Sequence, residues 1–383
     1  MKNIFVLLFC LLSLTSSALK LSSSAEISII TCDPGKELYA LFGHTAVRIT
    51  DPHHGLDAIF NYGTFDFNTP NFYGKFVQGL LPYQITASSY RSFIRTYTYR
   101  NISVYSQTLK LDSIHKQRFM DLIDENLKPE NKTYLYSFLY DNCATRVRDL
   151  IAKSFSSDDL QWNMVSEEKS FWNLLDEYLY MQPWSKWGIH TVLGQDGTQQ
   201  ASTFETMFLP DYLHKGLTTA TYKGKPLNTE IETLFKAKPS EIVNPWYLSP
   251  FFVFAVFALL FIAYSYRWPK SLRKTLAFFY FITGILGCLI LFLGFFTLHP
   301  LTFPNWNILW ANPLNILCFI IMFRSKYDVY LKNYLRFNLL LLCITLLLWP
   351  MLYPAVSMTS SVIICTLTFL SYRLYKQVRS NTI

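Results

Sequence analysis

The chain has 383 residues, 51% of them apolar and 17% aromatic, enough for a soluble domain plus a membrane part. Its formal charge of +8 is unevenly spread: from Tyr247 onward 11 Lys and Arg face the single acid Asp328, so the first 246 residues carry about −2. No basic patch is left for a polyanion, which argues against a nucleic-acid partner.

Residues 1–18 have the pattern of a secretory signal: Lys2, an apolar core from Ile4 to Leu14, and small residues Ser16-Ser-Ala18 for cleavage. The exported region, about 25–245, reads as mixed α and β. Glu26–Thr31 alternates as a strand, and Pro34 suits the first turn of a short helix ending at Gly43. His44 opens the next strand directly after that glycine, continued by Val47 and Ile49. Asp51-Pro-His-His-Gly55 is turn chemistry, with His53 and His54 as turn residues rather than metal ligands. Ala58–Tyr62 is the returning strand and Asn101–Leu111 another. Ser113–Asn126 places Ile114, Phe119, Leu122 and Ile123 on one helical face. Tyr134–Tyr140 reads as a buried strand, and Val147, Leu150, Ile151 and Phe155 then recur at helical spacing. Cys143 falls at this strand–helix junction, with Asp141 or Asn142 available as cap. Glu167–Met181 is a further helix, followed by a Trp-rich loop with Trp184 and Trp187.

The membrane domain is expected over 247–375. Apolar runs at Tyr247–Tyr266, Leu276–Leu298, Ile308–Phe323, Phe337–Tyr353 and Ala355–Tyr372 predict five transmembrane helices. Arg267, Lys270, Arg273, Lys274, Arg324, Lys326, Lys332 and Arg336, with Arg373, Lys376 and Arg379, all fall on one side. The positive-inside rule therefore puts the soluble domain outside the cytoplasm, in agreement with the signal. Asn244-Pro-Trp246 marks the boundary, and Lys236–Ser240 reads as a linker, so the exported domain is expected to be separable. His299, Asn305, Asn307, Asn312 and Asn315 gather at the outer face. Polar groups at that depth are costly, so they are candidates for a lipid-headgroup site or for asparagines paired between helices.

Cys10 leaves with the signal, and Cys288, Cys318, Cys343 and Cys365 lie in membrane helices, so Cys32 and Cys143 remain in the exported domain. In an oxidising compartment they predict either a disulfide or a free nucleophile at Cys143. The positive end of a helix favours a thiolate, and His44 is the histidine suited to act as its base.

Thr31-Cys-Asp-Pro-Gly-Lys-Glu-Leu-Tyr-Ala-Leu-Phe-Gly-His-Thr-Ala-Val-Arg48, Phe60–Asp66, Asn126–Asn131, Asp141-Asn-Cys-Ala-Thr-Arg146 and Phe208–Leu213 resemble the Lnb N-terminal periplasmic domain family, over roughly residues 26–215. That family is named for accessory proteins of a lacto-N-biosidase. The order Gly-His-strand, then Asn-Cys-helix, is also similar to the circularly permuted papain-like folds of the NlpC group. The resemblance implies an α+β papain-like exported domain ahead of the five-helix domain, in the cytoplasmic (inner) membrane, multi-pass, with the soluble domain periplasmic. It implies Cys143 as nucleophile, His44 as base and a third polar group orienting the imidazole: Asn61 first, with Tyr62 or Asp66 as alternatives. Substrate-binding candidates are Arg146, Tyr62, His299, Asn305, Asn307 and Asn312. No metal and no cofactor is expected. The implied activity is thiol-dependent amide hydrolysis or acyl transfer on an envelope peptide or lipid. The alternative is a non-enzymatic accessory or folding factor for an exported enzyme, with a Cys32–Cys143 disulfide.

Overall fold

A computed structural model describes residues 19–155, 159–165, 167–239 and 244–380; the expected signal segment 1–18 lies outside them. Seven strands build one antiparallel sheet: β1 (Glu26–Cys32), β2 (His44–Asp51), β3 (Leu56–Thr64), β4 (Pro82–Ser89), β5 (Val104–Thr108), β6 (Thr133–Leu135) and β10 (Glu232–Phe235), in the order β10-β5-β1-β2-β3-β4-β6. Three two-residue strands, β7 (Leu160–Gln161), β8 (Thr221–Tyr222) and β9 (Lys225–Pro226), make a separate ribbon.

Side chains alternate between the two faces of a strand, and here both faces are covered. Ile27, Ile29, Val47, Ile49 and Phe60 meet helices α3 (Ser113–Leu127) and α4 (Cys143–Ser154). Ile30, Cys32, Ala46 and Ile59 meet Phe93 of α2 (Tyr90–Tyr99) on the other face. In α4 the three- and four-residue steps place Val147, Leu150 and Ile151 in the core, at about 1.5–3 kcal/mol for each fully buried large aliphatic. A shorter helix, α1 (Phe72–Gln78), precedes β4. The expected strand at Tyr134–Tyr140 is cut to three residues. Ser137 and Asp141 exchange backbone hydrogen bonds, and this turn delivers the chain to the start of α4.

Helices α5 (Phe171–Leu179), α6 (Pro183–Val192) and α7 (Pro210–Thr219) enclose a second core around Trp172, Phe208 and Tyr212. This core includes Ala355 and packs against Leu301, both from the membrane half. The joint is polar as well. The N–H groups of Gly194 and Gln195 donate to Leu301 O and Pro304 O at 2.6 and 2.7 Å, and Trp187 Nε1 donates to Ser360 Oγ at 3.3 Å. The exported domain therefore shares its second core with the membrane half, contrary to the separable unit that the linker composition suggests.

The membrane half contains α8 (Pro250–Arg267), α9 (Leu272–Phe296), α10 (Asn315–Ile321), α11 (Asp328–Leu347) and α12 (Met358–Ser380). Three stretches, Pro250–Arg267, Pro269–Phe296 and Ser325–Leu347, are long and apolar enough to cross a membrane. The predicted span Ile308–Phe323 is a helical turn, a break and a seven-residue helix. Pro313 has no N–H to give, and Asn312 Oδ1 accepts from Leu314 N, two residues on, at 3.0 Å. At one end of the bundle Arg273 pairs with Asp328 at 2.7 Å and Arg373 bonds Ser265; the exported domain lies against the other end.

Candidate functional site

Three elements converge on Cys143. It is the first residue of α4, beneath the turn at 137–141, and Asn142 fixes that start. Asn142 Oδ1 accepts from Ala144 N and Thr145 N at 2.8 and 2.9 Å, and Thr145 Oγ1 accepts from Asn142 N at 2.7 Å, completing a capping box. Asn142 Nδ2 donates to Phe138 O and Phe208 O at 2.6 and 2.9 Å, tying the helix start to the second core. Of the two residues the sequence offers as cap, the structure uses Asn142.

The second element is the start of β2. Gly43, at φ +78°, lies in the left-handed region, and a Cβ there would come within 2.7 Å of Cys32 O. The chain can then place half-buried His44 opposite Cys32 in the β1–β2 register. The third is the end of β3, where Asn61 pairs with Ala46 one step along the same face. His44 Nε2 lies 3.2 Å from Asn61 Oδ1. Because that oxygen accepts, the imidazole carries its proton on Nε2, and Nδ1 is the nitrogen left for proton exchange. Gly63, at φ +82°, follows; a Cβ there would stand 3.4 Å from the Tyr136 ring and 3.8 Å from Cys143 Cβ.

Burial by itself would push the Cys143 thiol up. It is outweighed by the charge of His44, a hydrogen bond from its side chain, and the N–H groups of Thr45 and Ala144, so the thiol pKa falls below its ordinary value. For His44 burial opposes the proton, but the Cys143 thiolate and Asn61 raise the imidazole above its usual value. Both shifts favour the charged forms of the two groups. The sulfur-directed N–H of Thr45 was not legible in the sequence, since nothing in a strand's composition marks which amide faces a thiol.

Cys32 and Cys143 are both free thiols, so the disulfide alternative is not formed. Cys32 belongs to the core beneath α2; burial pushes its thiol up, and Tyr97 hydrogen-bonds it.

The other candidates are placed elsewhere. Tyr62 is 1% exposed, and its hydroxyl accepts from Asn126 Nδ2 at 2.8 Å. Arg146 is engaged by Asp141, Nη2 to Oδ2 at 2.7 Å, with its guanidinium 3.8 Å over the Tyr134 ring. Asn305 and Asn307 are buried in the joint: Asn305 Nδ2 donates to Thr191 O at 3.1 Å and Asn307 Nδ2 to Ala355 O at 2.8 Å. Asn315 is buried between Thr283 and Tyr334. Of the outer-face set, His299 alone reaches α1, its Nε2 3.0 Å from Phe76 O. Asn305, Asn307 and Asn315 thus each have protein hydrogen-bond partners.

Residues 18–176 match the Lnb N-terminal periplasmic domain, and residues 237–380 match the Lnb transmembrane domain. The chain belongs to the Lnb family. It is a membrane protein with a periplasmic domain and a transmembrane domain. No curated protein and no solved structure matches it. Within this Lnb chain, His44, Asn61 and Cys143 all fall inside the stretch matched to the periplasmic domain.

Proposed function

We propose that the periplasmic domain is a papain-type thiol amidase or acyltransferase of the permuted NlpC kind, acting on an envelope peptide or lipid. Cys143 is the nucleophile, His44 the base and acid, and Asn61 the residue that positions the imidazole. The observation that carries this reading is the position of Cys143 at the first residue of a helix, with His44 and the N–H of Thr45 against its sulfur. A cysteine that only packs needs none of them.

The chemistry follows from these positions. The Cys143 thiolate attacks the substrate carbonyl carbon, and the carbonyl oxygen takes up the electron pair. In the first turn Asn142 occupies Ala144 N and Thr145 N, and Asn142 O occupies Arg146 N. The N–H of Cys143 is then offered to the oxyanion. His44 gives its proton to the leaving amine or alkoxide as the C–N or C–O bond breaks. Water or an acceptor, deprotonated by His44, attacks the thioester and regenerates the thiol.

The membrane half is read as five crossings in the cytoplasmic membrane, with the domain on the periplasmic side. Support comes from the cations Arg273 and Arg373 gathering at the end away from that domain. The accessory-factor reading loses its expected disulfide, because both thiols are free.

The test is turnover of p-nitrophenyl acetate by the full-length protein in nanodiscs, alongside the pH dependence of Cys143 alkylation by iodoacetamide. A thiol titrating below ~8.5 and turnover abolished by Cys143→Ala are expected. An ordinary thiol pKa, or turnover that survives Cys143→Ala, sinks the proposal.

A further inference from the structure

Residues 65–80 carry a dense group of aromatic side chains that the site described above does not use. Phe67, Tyr73, Phe76 and Leu80 are 66, 79, 50 and 43% exposed, on a domain whose other large aromatics mostly find a core. Single exposed apolar residues are ordinary, whereas a contiguous patch marks a surface that meets something apolar. The occupant follows from where the patch is fastened. Leu298 N donates to Gln78 O at 3.0 Å, His299 Nε2 sits 3.0 Å from Phe76 O, and Gly79 lies against Leu298 with no room for more than a light clash. Leu298 and His299 come just after Thr297, the C-cap of membrane helix α9, whose last residues Phe295 and Phe296 are 61 and 71% exposed. The patch on α1 therefore continues the lipid-facing surface of that helix, at the level where aromatic side chains settle in a bilayer interface.

The same aromatic group leads inward. Phe76 stacks along α1 on Phe72, and Phe72 meets Phe65 at 5.8 Å. Phe65 meets Tyr83 at 5.2 Å, and Tyr83 stacks on Tyr136 at 4.3 Å. The Tyr136 ring borders Gly63, and Gly63 borders Cys143. A run of five rings, from Phe76 to Tyr136, thus leads from the segment fastened to the membrane helix to Gly63, the neighbour of Cys143.

We propose that residues 65–80 lie in the outer leaflet of the membrane and that the substrate of Cys143 is a lipid acyl ester, its chain held along this track. The inference rests on the thiol reading above. The Cys143 sulfur forms a bond to the ester carbonyl carbon, the ester C–O bond breaks, and His44 protonates the departing lipid alkoxide. The product is an acyl thioester on Cys143, released by attack of water or of an acceptor hydroxyl or amine.

The test uses the full chain in nanodiscs of phosphatidylethanolamine and phosphatidylglycerol. Benzoylphenylalanine at position 73 is expected to photocross-link phospholipid, and the same group at exposed Ile114 on α3 is not. Mass spectrometry is expected to find a hydroxylamine-labile acyl group on Cys143 after incubation with these lipids. The ratio of lipid-ester to p-nitrophenyl acetate turnover is expected to fall about tenfold in Tyr73→Ser. No lipid cross-link at position 73, or a cross-link to protein in its place, overturns the proposal. Turnover of p-nitrophenyl acetate without any lipid-derived acyl adduct overturns the substrate assignment and leaves the thiol reading standing. A Cys143 thiol with ordinary alkylation pKa removes both, and is recognised by that measurement alone.

Discussion

His44 Nε2 lies 3.2 Å from Asn61 Oδ1, and this one hydrogen bond decides which ring nitrogen carries the proton when the imidazole is neutral. Asn61→Ala frees the ring to rotate and to change tautomer without removing the nucleophile. Turnover of p-nitrophenyl acetate is expected to drop ~10-fold or more, while Cys143 still reacts with iodoacetamide. Equal turnover in the variant would remove Asn61 from the site.

The thiol and imidazole shifts have opposite signs, and the pH profile follows from them. The lowered thiol and the raised imidazole both favour the charged forms, thiolate and imidazolium. Alkylation by iodoacetamide needs only the thiolate, so it rises once through the lowered thiol pKa and stays high. Acyl transfer also needs the imidazolium proton, so it rises with the thiol and falls as pH passes through the raised imidazole pKa. His44→Ala removes the cation and is expected to move the alkylation midpoint upward, toward the ~8.5 of a free cysteine. A midpoint unmoved by that substitution contradicts the pairing.

Asn142 is the structural hinge of the site. Asn142→Ala leaves two first-turn N–H groups and two carbonyls, Phe138 O and Phe208 O, without their partner. A loss of about 1–3 kcal/mol is expected in chemical denaturation of the full-length protein. Asn142→Asp keeps the acceptor but not the donor and is expected to fall between the two. If alanine and wild type unfold together, the cap does not hold the helix start.

The joint makes a separate prediction. At Gly194 an added Cβ would stand 2.5 Å from Pro304 O and 2.9 Å from Phe303 N, backbone atoms that cannot yield cheaply. Gly194→Ala and Asn307→Ala should therefore each lower the thermal midpoint of the whole protein, and Asn307→Ala should cost about 1–3 kcal/mol of unfolding free energy for stranding Ala355 O and its neighbours. A fragment spanning 25–243 is expected to melt without cooperativity, since Ala355 and Leu301 complete its second core. Sharp, wild-type-like melting of that fragment counts against the shared core.

Membrane sidedness is checked with fused reporters. A reporter after Leu272 or Tyr330 is expected to behave as cytoplasmic, and one after Pro304 as periplasmic. An external signal at Tyr330 would take a crossing out of the count.

Local order was written in the sequence wherever it is local physics. The apolar spacing of Val147, Leu150 and Ile151 set the buried face of α4, Gly43 announced the sharp turn before His44, and the charge asymmetry after Tyr247 marked the membrane half. Tyr134–Tyr140 was misleading because a run of aromatic residues has the same composition whether it forms a strand or lines a turn packed from both sides. The broken segment around Pro313 shows the same limit, since hydropathy measures greasiness and not where a helix stops. Tertiary structure alone decided the rest. His44 and Cys143 meet across 99 positions because β2 and α4 pack on one sheet, and Thr45 N–H faces the sulfur only through that packing. The fates of Arg146, Asn305 and Asn307 were settled by which partner stood nearest. A polar side chain's type states what it is able to bond, and only the folded chain states what it does bond.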